Sequence, residues 1–245
     1  MIQDRYKILE NREIAPGIMM MRLEGEVEFY RPGQFVNIAV PGFTLRRPIS
    51  VCDWDERSFT IVYAVVGGGT ERLSLMLPGE SLDMLAPLGT GFDPDADTKR
   101  PVLLGGGVGC PPLYGLARRL LERGVRPAVV LGFNSSEKMM LLEEFRALGL
   151  DVYVATLDGS CGTKGFVTDA IRENGLDPDY FYACGPTPML RAVCLGLDIP
   201  GEVSLEARMG CGFGACVCCS VETVGGSKRI CMEGPAFRKE ELIWK

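Results

Sequence analysis

Four cysteines close to the C-terminus are spaced like the ligands of a metal centre. Cys211, Cys216, Cys219 and Cys231 form the pattern C-x4-C-x2-C-x11-C. The first three have the spacing of [2Fe-2S] ligation, in which the fourth cysteine comes from farther along the chain. A zinc site with four cysteine ligands is the alternative, although zinc ribbons prefer paired C-x2-C knuckles. Cys218 is interpreted as a spectator, because its use would leave a one-residue loop between two ligands.

The composition also favours redox or metal chemistry. The chain contains 245 residues, with ten cysteines and no histidine. Thiols stay reduced in the cytosol, so this many cysteines predicts metal binding or redox chemistry more than a disulfide framework. The lack of histidine excludes the commonest general base and imidazole metal ligands. We therefore expect bound cofactors to carry most of the chemistry.

A glycine-rich turn in the middle of the chain predicts a nucleotide site. Gly105, Gly106, Gly107, Val108 and Gly109 follow a predicted strand and open a predicted helix. Backbone amides and the helix dipole receive a pyrophosphate at such a position. The G-x-G-x-x-G pattern is incomplete, since a cysteine replaces the third glycine and no acidic residue ends the second strand. The alternative is a glycine turn that packs a helix against a sheet.

Two kinds of secondary structure must position these residues. Between about residues 5 and 90, β-rich stretches such as 34–40 and 58–66 alternate with Gly/Pro turns, which predicts an antiparallel barrel. The polar stretch 93–100 is typical of a linker. After the linker, strands and helices alternate, which predicts a parallel sheet with helices on both faces. The predicted strands there lie at about 101–104, 128–131, 151–155 and 180–183, and the predicted helices at about 111–123, 137–147 and 186–196.

The length of the chain predicts more than one domain. The part after about residue 205 holds little apolar material for a core, so we expect a metal centre to stabilise it. The prediction is a multidomain β plus α/β protein with three parts. These are an antiparallel β-barrel at residues 1–97, a parallel-sheet nucleotide-binding domain at 98–204 and a small metal-cluster domain at 205–245.

Charge and hydropathy indicate the environment of the protein. A net charge of -6 without any basic cluster argues against nucleic acid or anionic lipid as the main partner. The longest uncharged run, 101–117, is shorter than the roughly 20 residues needed to cross a bilayer, and glycines and prolines interrupt it. The N-terminal residues lack the apolar segment of a secretory signal. We expect a cytoplasmic protein without a membrane partner.

Three motifs occur in one order along the chain. They are R-P-I-S at 47–50 with G-T at 69–70, the glycine turn followed by C-G-P at 184–186, and the cysteine pattern. Together they resemble the ferredoxin-NADP reductase superfamily, with isoleucine at position 49 where many members have tyrosine. Over about residues 5 to 238, the chain resembles the electron-transfer subunits of dihydroorotate dehydrogenase B.

The resemblance implies three cofactors and their ligands. FAD would be bound by Arg47, Pro48, Ile49, Ser50, Val62, Tyr63, Ala64, Gly69 and Thr70. NAD would be framed by Gly105, Gly106, Gly107, Val108, Gly109, Cys184, Gly185 and Pro186. A [2Fe-2S] cluster would be held by Cys211, Cys216, Cys219 and Cys231.

Two residues have specific implied roles, and one choice of cofactor stays open. Arg47 would place its guanidinium on the FAD pyrophosphate, the alternative being a solvated surface arginine. Cys184 would lie beside the nicotinamide ring as the one candidate catalytic residue, the alternative being a small buried cysteine. Ser135, Ser136 and Lys138 either receive the 2′-phosphate of NADP or begin a helix.

The implied activity is electron transfer. Nicotinamide exchanges two electrons as a hydride and a [2Fe-2S] cluster exchanges one electron, so a flavin is needed between them. The implied partner is the FMN-containing catalytic subunit of dihydroorotate dehydrogenase, in a heterotetramer that serves pyrimidine biosynthesis with NAD⁺ as acceptor. One alternative is an NAD(P)H-linked subunit of a hydrogenase, sulfide dehydrogenase or ferredoxin:NADP reductase assembly. The other is a zinc-stabilised nucleotide sensor.

Overall fold

Six antiparallel strands in the N-terminal part form a closed barrel, as the sequence predicts. The computed structural model describes residues 1–244, so the last residue of the predicted 205–245 domain lies outside the described part. The strands are β1 (Ile2–Ala15), β2 (Ile18–Glu24), β3 (Phe35–Ile38), β4 (Arg47–Trp54), β5 (Ser58–Ala64) and β6 (Ser81–Leu88), and a short helix, α1 (Gly68–Ser74), lies between the last two. Their order around the barrel is β1-β2-β5-β4-β3-β6.

Alternating side chains fill the barrel. In β2, Met21 and Leu23 are fully buried, whereas Arg22 and Glu24 are exposed. This period of two is expected of a strand with one face on a core. Burial of each such apolar side chain contributes about 2 kcal/mol. The barrel core therefore holds β4 and β5, the strands that carry the predicted flavin residues.

Parallel strands and helices form the second part, which confirms the predicted α/β arrangement. The strands are β7 (Pro101–Gly106), β8 (Ala128–Phe133), β9 (Val152–Thr156), β10 (Thr163–Lys164), β11 (Tyr180–Cys184) and β12 (Gly201–Ser204), and the helices are α2 (Cys110–Glu122), α3 (Leu142–Ala147), α4 (Val167–Glu173) and α5 (Thr187–Gly196). They pair in the order β10-β9-β8-β7-β11-β12. The strand order reverses beside β7, and such sheets bind ligands at the carboxyl ends of the strands at this point.

The helix predicted at 137–147 is divided in the structure. A 3₁₀ turn at Ser136–Lys138 precedes α3, which begins only at Leu142. Leu141 has a positive φ of 60°, which a right-handed helix does not allow. Met140 and Leu141 are both buried, and their packing takes the backbone out of a helical path. In the described part of the chain, no helix has the length and apolar character needed to span a membrane.

The C-terminal segment returns to the nucleotide-binding sheet. Its elements are β13 (Ser220–Thr223), β14 (Gly226–Arg229), α6 (Ile230–Glu233) and β15 (Ala236–Arg238). β13 and β14 form a hairpin, while β15 pairs antiparallel with β12 as the seventh strand of the sheet. Phe237 of β15 belongs to the same buried cluster as Val203 of β12. The segment therefore shares part of the core of the sheet, and the predicted boundary at residue 205 stays a prediction.

Helix α2 packs against β4 and connects the barrel with the sheet. Arg118 on α2 forms an ion pair with Asp53 on β4, with 2.5 Å between Nη1 and Oδ1. Gly115 allows the close approach, because a Cβ there would lie 2.9 Å from the carbonyl oxygen of Cys52. These contacts join the barrel to the first helix of the sheet part.

Candidate functional site

A cleft of about 900 Å³ lies between the barrel and the sheet. This volume is within the usual range for binding sites of small molecules and cofactors. The predicted residues that line it are Arg47, Pro48, Ile49, Ser50, Val62, Tyr63, Ala64, Thr70, Gly106, Gly107, Val108, Gly109, Cys184, Gly185 and Pro186. Gly69 and Gly105 are not among the lining residues. The fold thus brings most of the predicted FAD and NAD residues together, while their roles as ligands remain predictions.

The guanidinium of Arg47 is held in position beside the cleft. Its Nη1 donates a hydrogen bond to the carbonyl oxygen of Leu45 at 2.5 Å. Its central carbon lies 5.0 Å from the centre of the Phe43 ring. A Cβ at position 69 would overlap the guanidinium, so Gly69 leaves the space that this side chain occupies. Gly69 therefore shapes the site through Arg47.

Thr70 uses its hydroxyl within its own turn. The hydroxyl donates to the carbonyl oxygen of Gly67 at 3.0 Å and accepts from the backbone N–H of Val66 at 2.9 Å. Its contribution to the cleft is therefore the shape of the turn that precedes α1.

Asn11 connects β5, one of the two strands that carry predicted flavin residues, with α1. No sequence motif marks Asn11. Its Nδ2 donates to the carbonyl oxygens of Leu73 at 3.0 Å and Met76 at 2.9 Å, at the end of α1. Its Oδ1 accepts a hydrogen bond from the hydroxyl of Tyr63 at 3.2 Å. Asn11 thus fixes α1 relative to β5, although it lies outside the cleft.

The glycine turn after β7 contacts the turn after β11. Gly107 has a φ of 53°, in the left-handed region that favours glycine. A Cβ at position 109 would overlap the backbone of Cys184 and Gly185, so only Gly109 permits this contact. Gly105 faces away from the cleft toward Cys110, since its Cβ would lie 2.8 Å from that sulfur. The two turns therefore border one side of the cleft together.

The thiol of Cys184 lies at the end of β11, on the wall of the cleft. Burial raises the pKa of this thiol to about 12, and a hydrogen bond with Ser204 offsets that effect only in part. The sulfur is therefore protonated at neutral pH. Burial thus disfavours the thiolate, which is the reactive form of cysteine.

The segment between β12 and the cysteine cluster also lines the cleft. Ser204, Leu205, Glu206, Ala207 and Met209 all contribute to its wall. Sequence reasoning missed them because they match no ligand motif. Their one signal is position, since they directly follow the carboxyl end of a sheet strand, where ligands of parallel sheets bind.

Backbone amides surround the sulfur of Cys211. Burial opposes ionisation of this thiol, but hydrogen bonds from the N–H groups of Phe213, Cys216 and Ala215 outweigh it and lower the pKa to about 6. Gly212 and Gly214 have φ values of 78° and 90°, which let the loop fold around the sulfur. Such amides stabilise thiolate ligands and the negative charge of a cluster.

The four predicted ligands form two pairs. The N–H of Cys211 donates to the sulfur of Cys216, and the N–H of Cys231 donates to the sulfur of Cys219, each at 3.4 Å. Among residues 1–244, no three side chains are arranged as a site for a single metal ion. A [2Fe-2S] cluster needs two ligands for each of its two irons. The donor set therefore fits that cluster.

Cys218 has a different environment from the two pairs. Its thiol is exposed and donates to the carbonyl oxygen of Arg208 at 3.7 Å. The preceding residue, Val217, has a positive φ of 51°. This contact involves none of the four predicted ligands, and the spectator role of Cys218 remains a prediction.

The barrel, the parallel sheet and the cleft between them define a pyridine nucleotide reductase with the ferredoxin reductase fold. The NADH-dependent reduced ferredoxin-NADP oxidoreductase, a structure solved for insights into flavin-based electron bifurcation, superposes with a TM-score of 0.89 and 34% identity, over 98% of this chain and 90% of that chain. Phthalate dioxygenase reductase, with a TM-score of 0.67 and 23% identity over 78% of this chain and 63% of that chain, shares the fold.

Sequence matches define the family within this class. Residues 206–243 match the iron-sulfur cluster binding domain of dihydroorotate dehydrogenase B, and residues 103–195 match the oxidoreductase NAD-binding domain. The dihydroorotate dehydrogenase B (NAD(+)) electron transfer subunit of Bacillus pumilus is 44% identical over 96% of each chain. That of Fusobacterium nucleatum is 42% identical over 95% of each chain. The chain belongs to the family of dihydroorotate dehydrogenase B electron transfer subunits.

Proposed function

We propose that this chain is the electron-transfer subunit that carries electrons from the FMN of a dihydroorotate dehydrogenase catalytic subunit to NAD⁺, in pyrimidine biosynthesis. The observation that carries the proposal is the 44% identity to such a subunit over 96% of both chains. The cleft and the two cysteine pairs supply sites for FAD, NAD and a [2Fe-2S] cluster. Bound FAD converts between the two-electron chemistry of nicotinamide and the one-electron chemistry of the cluster.

The position of each group of residues assigns it to one of the three cofactors. Arg47 to Ser50, Val62 to Ala64 and Thr70 hold FAD on the barrel side of the cleft, and Gly69 leaves the space that Arg47 occupies. Gly106 to Gly109 and Cys184 to Pro186 frame the nucleotide on the sheet side, and Gly105 lies behind them against Cys110. Cys211, Cys216, Cys219 and Cys231 hold the cluster. Cys184 is protonated and positions the nicotinamide without acting as an acid or base, since burial raises its pKa to about 12.

The proposal includes the domain limits and the location of the protein. The limit between residues 97 and 98 lies in the segment between β6 and β7, and the limit between 204 and 205 follows the end of β12. The location is the cytoplasm. None of the ten cysteines, all within residues 1–244, forms a disulfide, which suits that reducing compartment.

The activity is expected to require a second protein. The purified chain should pass electrons from NADH to artificial dyes and should not oxidise dihydroorotate, because we expect the FMN subunit to carry out the dehydrogenation of that carbon substrate. With a matching FMN subunit, it should form a stable complex, a heterotetramer, and couple dihydroorotate oxidation to NAD⁺ reduction. Steady-state assays with and without the partner measure this.

Co-purification from the native cell identifies the partner independently. The similarity to the NADH-dependent reduced ferredoxin-NADP oxidoreductase makes an assembly of that kind the second candidate, at 34% identity over 98% of this chain. Capture of such an assembly in place of an FMN subunit would refute the dihydroorotate assignment and leave electron transfer intact.

NADH is expected to reduce the flavin several-fold faster than NADPH. The N–H of Ser136 already donates to the Ser160 hydroxyl at 2.8 Å, and Lys138 donates to the carbonyl oxygen of Pro16 at 2.8 Å. The hydroxyl of Ser160 in turn donates to Asp158 at 2.6 Å. Hydrogen bonds from Ser160 lower the pKa of the Asp158 carboxyl, so its negative charge would repel a 2′-phosphate placed there.

Asp158→Asn should therefore lower the ratio of the NADH rate to the NADPH rate. Asp177 is exposed at a distance from these serines, so Asp177→Asn should leave that ratio unchanged. Rapid-mixing measurements of flavin reduction with each nucleotide give the two rates. An unaltered ratio in Asp158→Asn, or a wild-type protein that prefers NADPH, would contradict this account.

A further inference from the structure

One buried amide of the barrel contacts the loop that carries the first predicted cluster ligand. Asn37 lies in β3 with 1% of its surface exposed. Its Nδ2 donates a hydrogen bond to the carbonyl oxygen of Cys211 at 3.0 Å. A Cβ at position 212 would overlap this same Nδ2, so Gly212 lets the loop lie directly on the amide. The contact joins residues that are 174 positions apart in the sequence.

Asn37 is also paired with β4, which carries predicted flavin residues. In the β3–β4 register, Asn37 lies opposite Pro48, and Phe35 lies opposite Ser50. Phe35, Pro48 and Ser50 all line the cleft. The carbonyl oxygen of Asn37 also accepts a hydrogen bond from Arg46 at 3.3 Å, which fixes the start of β4. Asn37 therefore stands between the FAD side of the cleft and Cys211.

The side chain of Asn37 stabilises the fold less than an apolar side chain of similar size would. Its Oδ1 is buried and has no hydrogen-bond partner in residues 1–244. An unsatisfied buried acceptor destabilises a fold, and an apolar side chain of similar size would avoid that loss. The bond that the amide does make, to the carbonyl oxygen of Cys211, is thus its distinguishing contact.

We propose that Asn37 is a positioning residue that holds the Cys211 end of the cluster loop at a fixed distance from β4. The inference rests on the proposed function, since it concerns the transfer between the FAD and cluster sites. Transfer between two bound centres depends on their distance and orientation, so displacement of the cluster loop slows this step. The backbone of Asn37 pairs with β4 and its side chain bonds to Cys211, so this one residue sets the geometry without binding either cofactor.

The test compares the holoprotein with Asn37→Leu and Asn37→Asp. Asparagine to leucine removes the donor, and asparagine to aspartate puts an acceptor opposite the carbonyl oxygen at nearly unchanged volume. Gln34→Leu is the matched control. Gln34 is also 1% exposed in the same barrel, but its amide bonds to Gly89 at 2.9 Å and Tyr30 at 2.9 Å, away from the cysteines.

Two quantities are measured on each protein after its FAD and iron contents are determined. In rapid mixing with NADH, both Asn37 variants should reduce FAD at the wild-type rate and the cluster several-fold more slowly. Hydrogen exchange of the backbone amides from 211 to 216 should become faster, because the loop has lost its anchor. Gln34→Leu should change neither quantity.

The outcomes separate this inference from the proposed function. Unchanged cluster reduction and unchanged exchange in Asn37→Asp, with both cofactors bound, would overturn the role of Asn37 and leave the function standing. If Asn37→Leu fails to fold, the same two measurements on Asn37→Asp test the role of Asn37. A purified wild-type protein that binds no FAD or no cluster would overturn the proposed function and the inference together.

Discussion

Cys219→Ser is expected to abolish the iron–sulfur centre. The wild-type protein, purified with care for its cluster, should contain about two iron and two acid-labile sulfide atoms per chain. Cys219 is buried at 3% exposure, and its sulfur accepts the N–H of Cys231 at 3.4 Å. A serine oxygen is a much poorer iron ligand than a thiolate, so the iron content should fall to near zero. Iron and sulfide assays and the visible spectrum measure the loss.

Cys218→Ser provides the matched control for that result. Cys218 is adjacent in sequence, but its thiol is exposed and bonds to the carbonyl oxygen of Arg208. Its serine variant should keep the cluster largely intact. Loss of the cluster only in the Cys218 variant would reverse the ligand assignment, and one zinc per chain in the wild type would replace the cluster with a zinc site.

Arg47→Ala is expected to release most of the FAD upon dilution. Arg47 is held in position by Leu45 and by the Phe43 ring, so the proposed bidentate contact with the FAD pyrophosphate would need little further ordering of the side chain. Loss of such charge-assisted hydrogen bonds weakens binding by about 3 kcal/mol, or roughly 100-fold in Kd. Flavin fluorescence during dilution gives the Kd of each variant.

A second arginine of the barrel tests whether this effect is specific. Arg57 is exposed in the turn between β4 and β5 and does not line the cleft. Arg57→Ala should retain wild-type affinity for FAD. Equal affinity in Arg47→Ala and wild type would remove Arg47 from the flavin site.

The larger elements were predictable because each has a local signal. The barrel strands show an alternation of buried and exposed residues, as at Met21 to Glu24 in β2. The glycine turn of β7 is set by close backbone packing, as at Gly109 against Cys184. Glycine, arginine and cysteine at fixed spacings record such local constraints directly in the sequence.

The features that the sequence did not predict depend on contacts between distant residues. β15 is only Ala236–Arg238, too short for a periodic pattern, and its pairing with β12 is decided by burial of Phe237. The break at Leu141 follows from core packing, which overrides the local helical tendency. Asn11 and Asn37 likewise have partners that are distant in sequence, so no spacing rule identifies them.

The pairing of β15 with β12 has a consequence for how the cluster is acquired. The chain leaves the sheet after Ser204 and returns at Ala236 on the neighbouring strand, so the cysteine segment is a loop with both ends fixed. Fixed ends reduce the conformational freedom of the loop before any iron is bound. The β12–β15 pairing uses none of the four cysteines, so we expect the edge of the sheet to stay paired when the cluster is absent, which would let iron and sulfide enter a chain whose barrel and sheet are already folded.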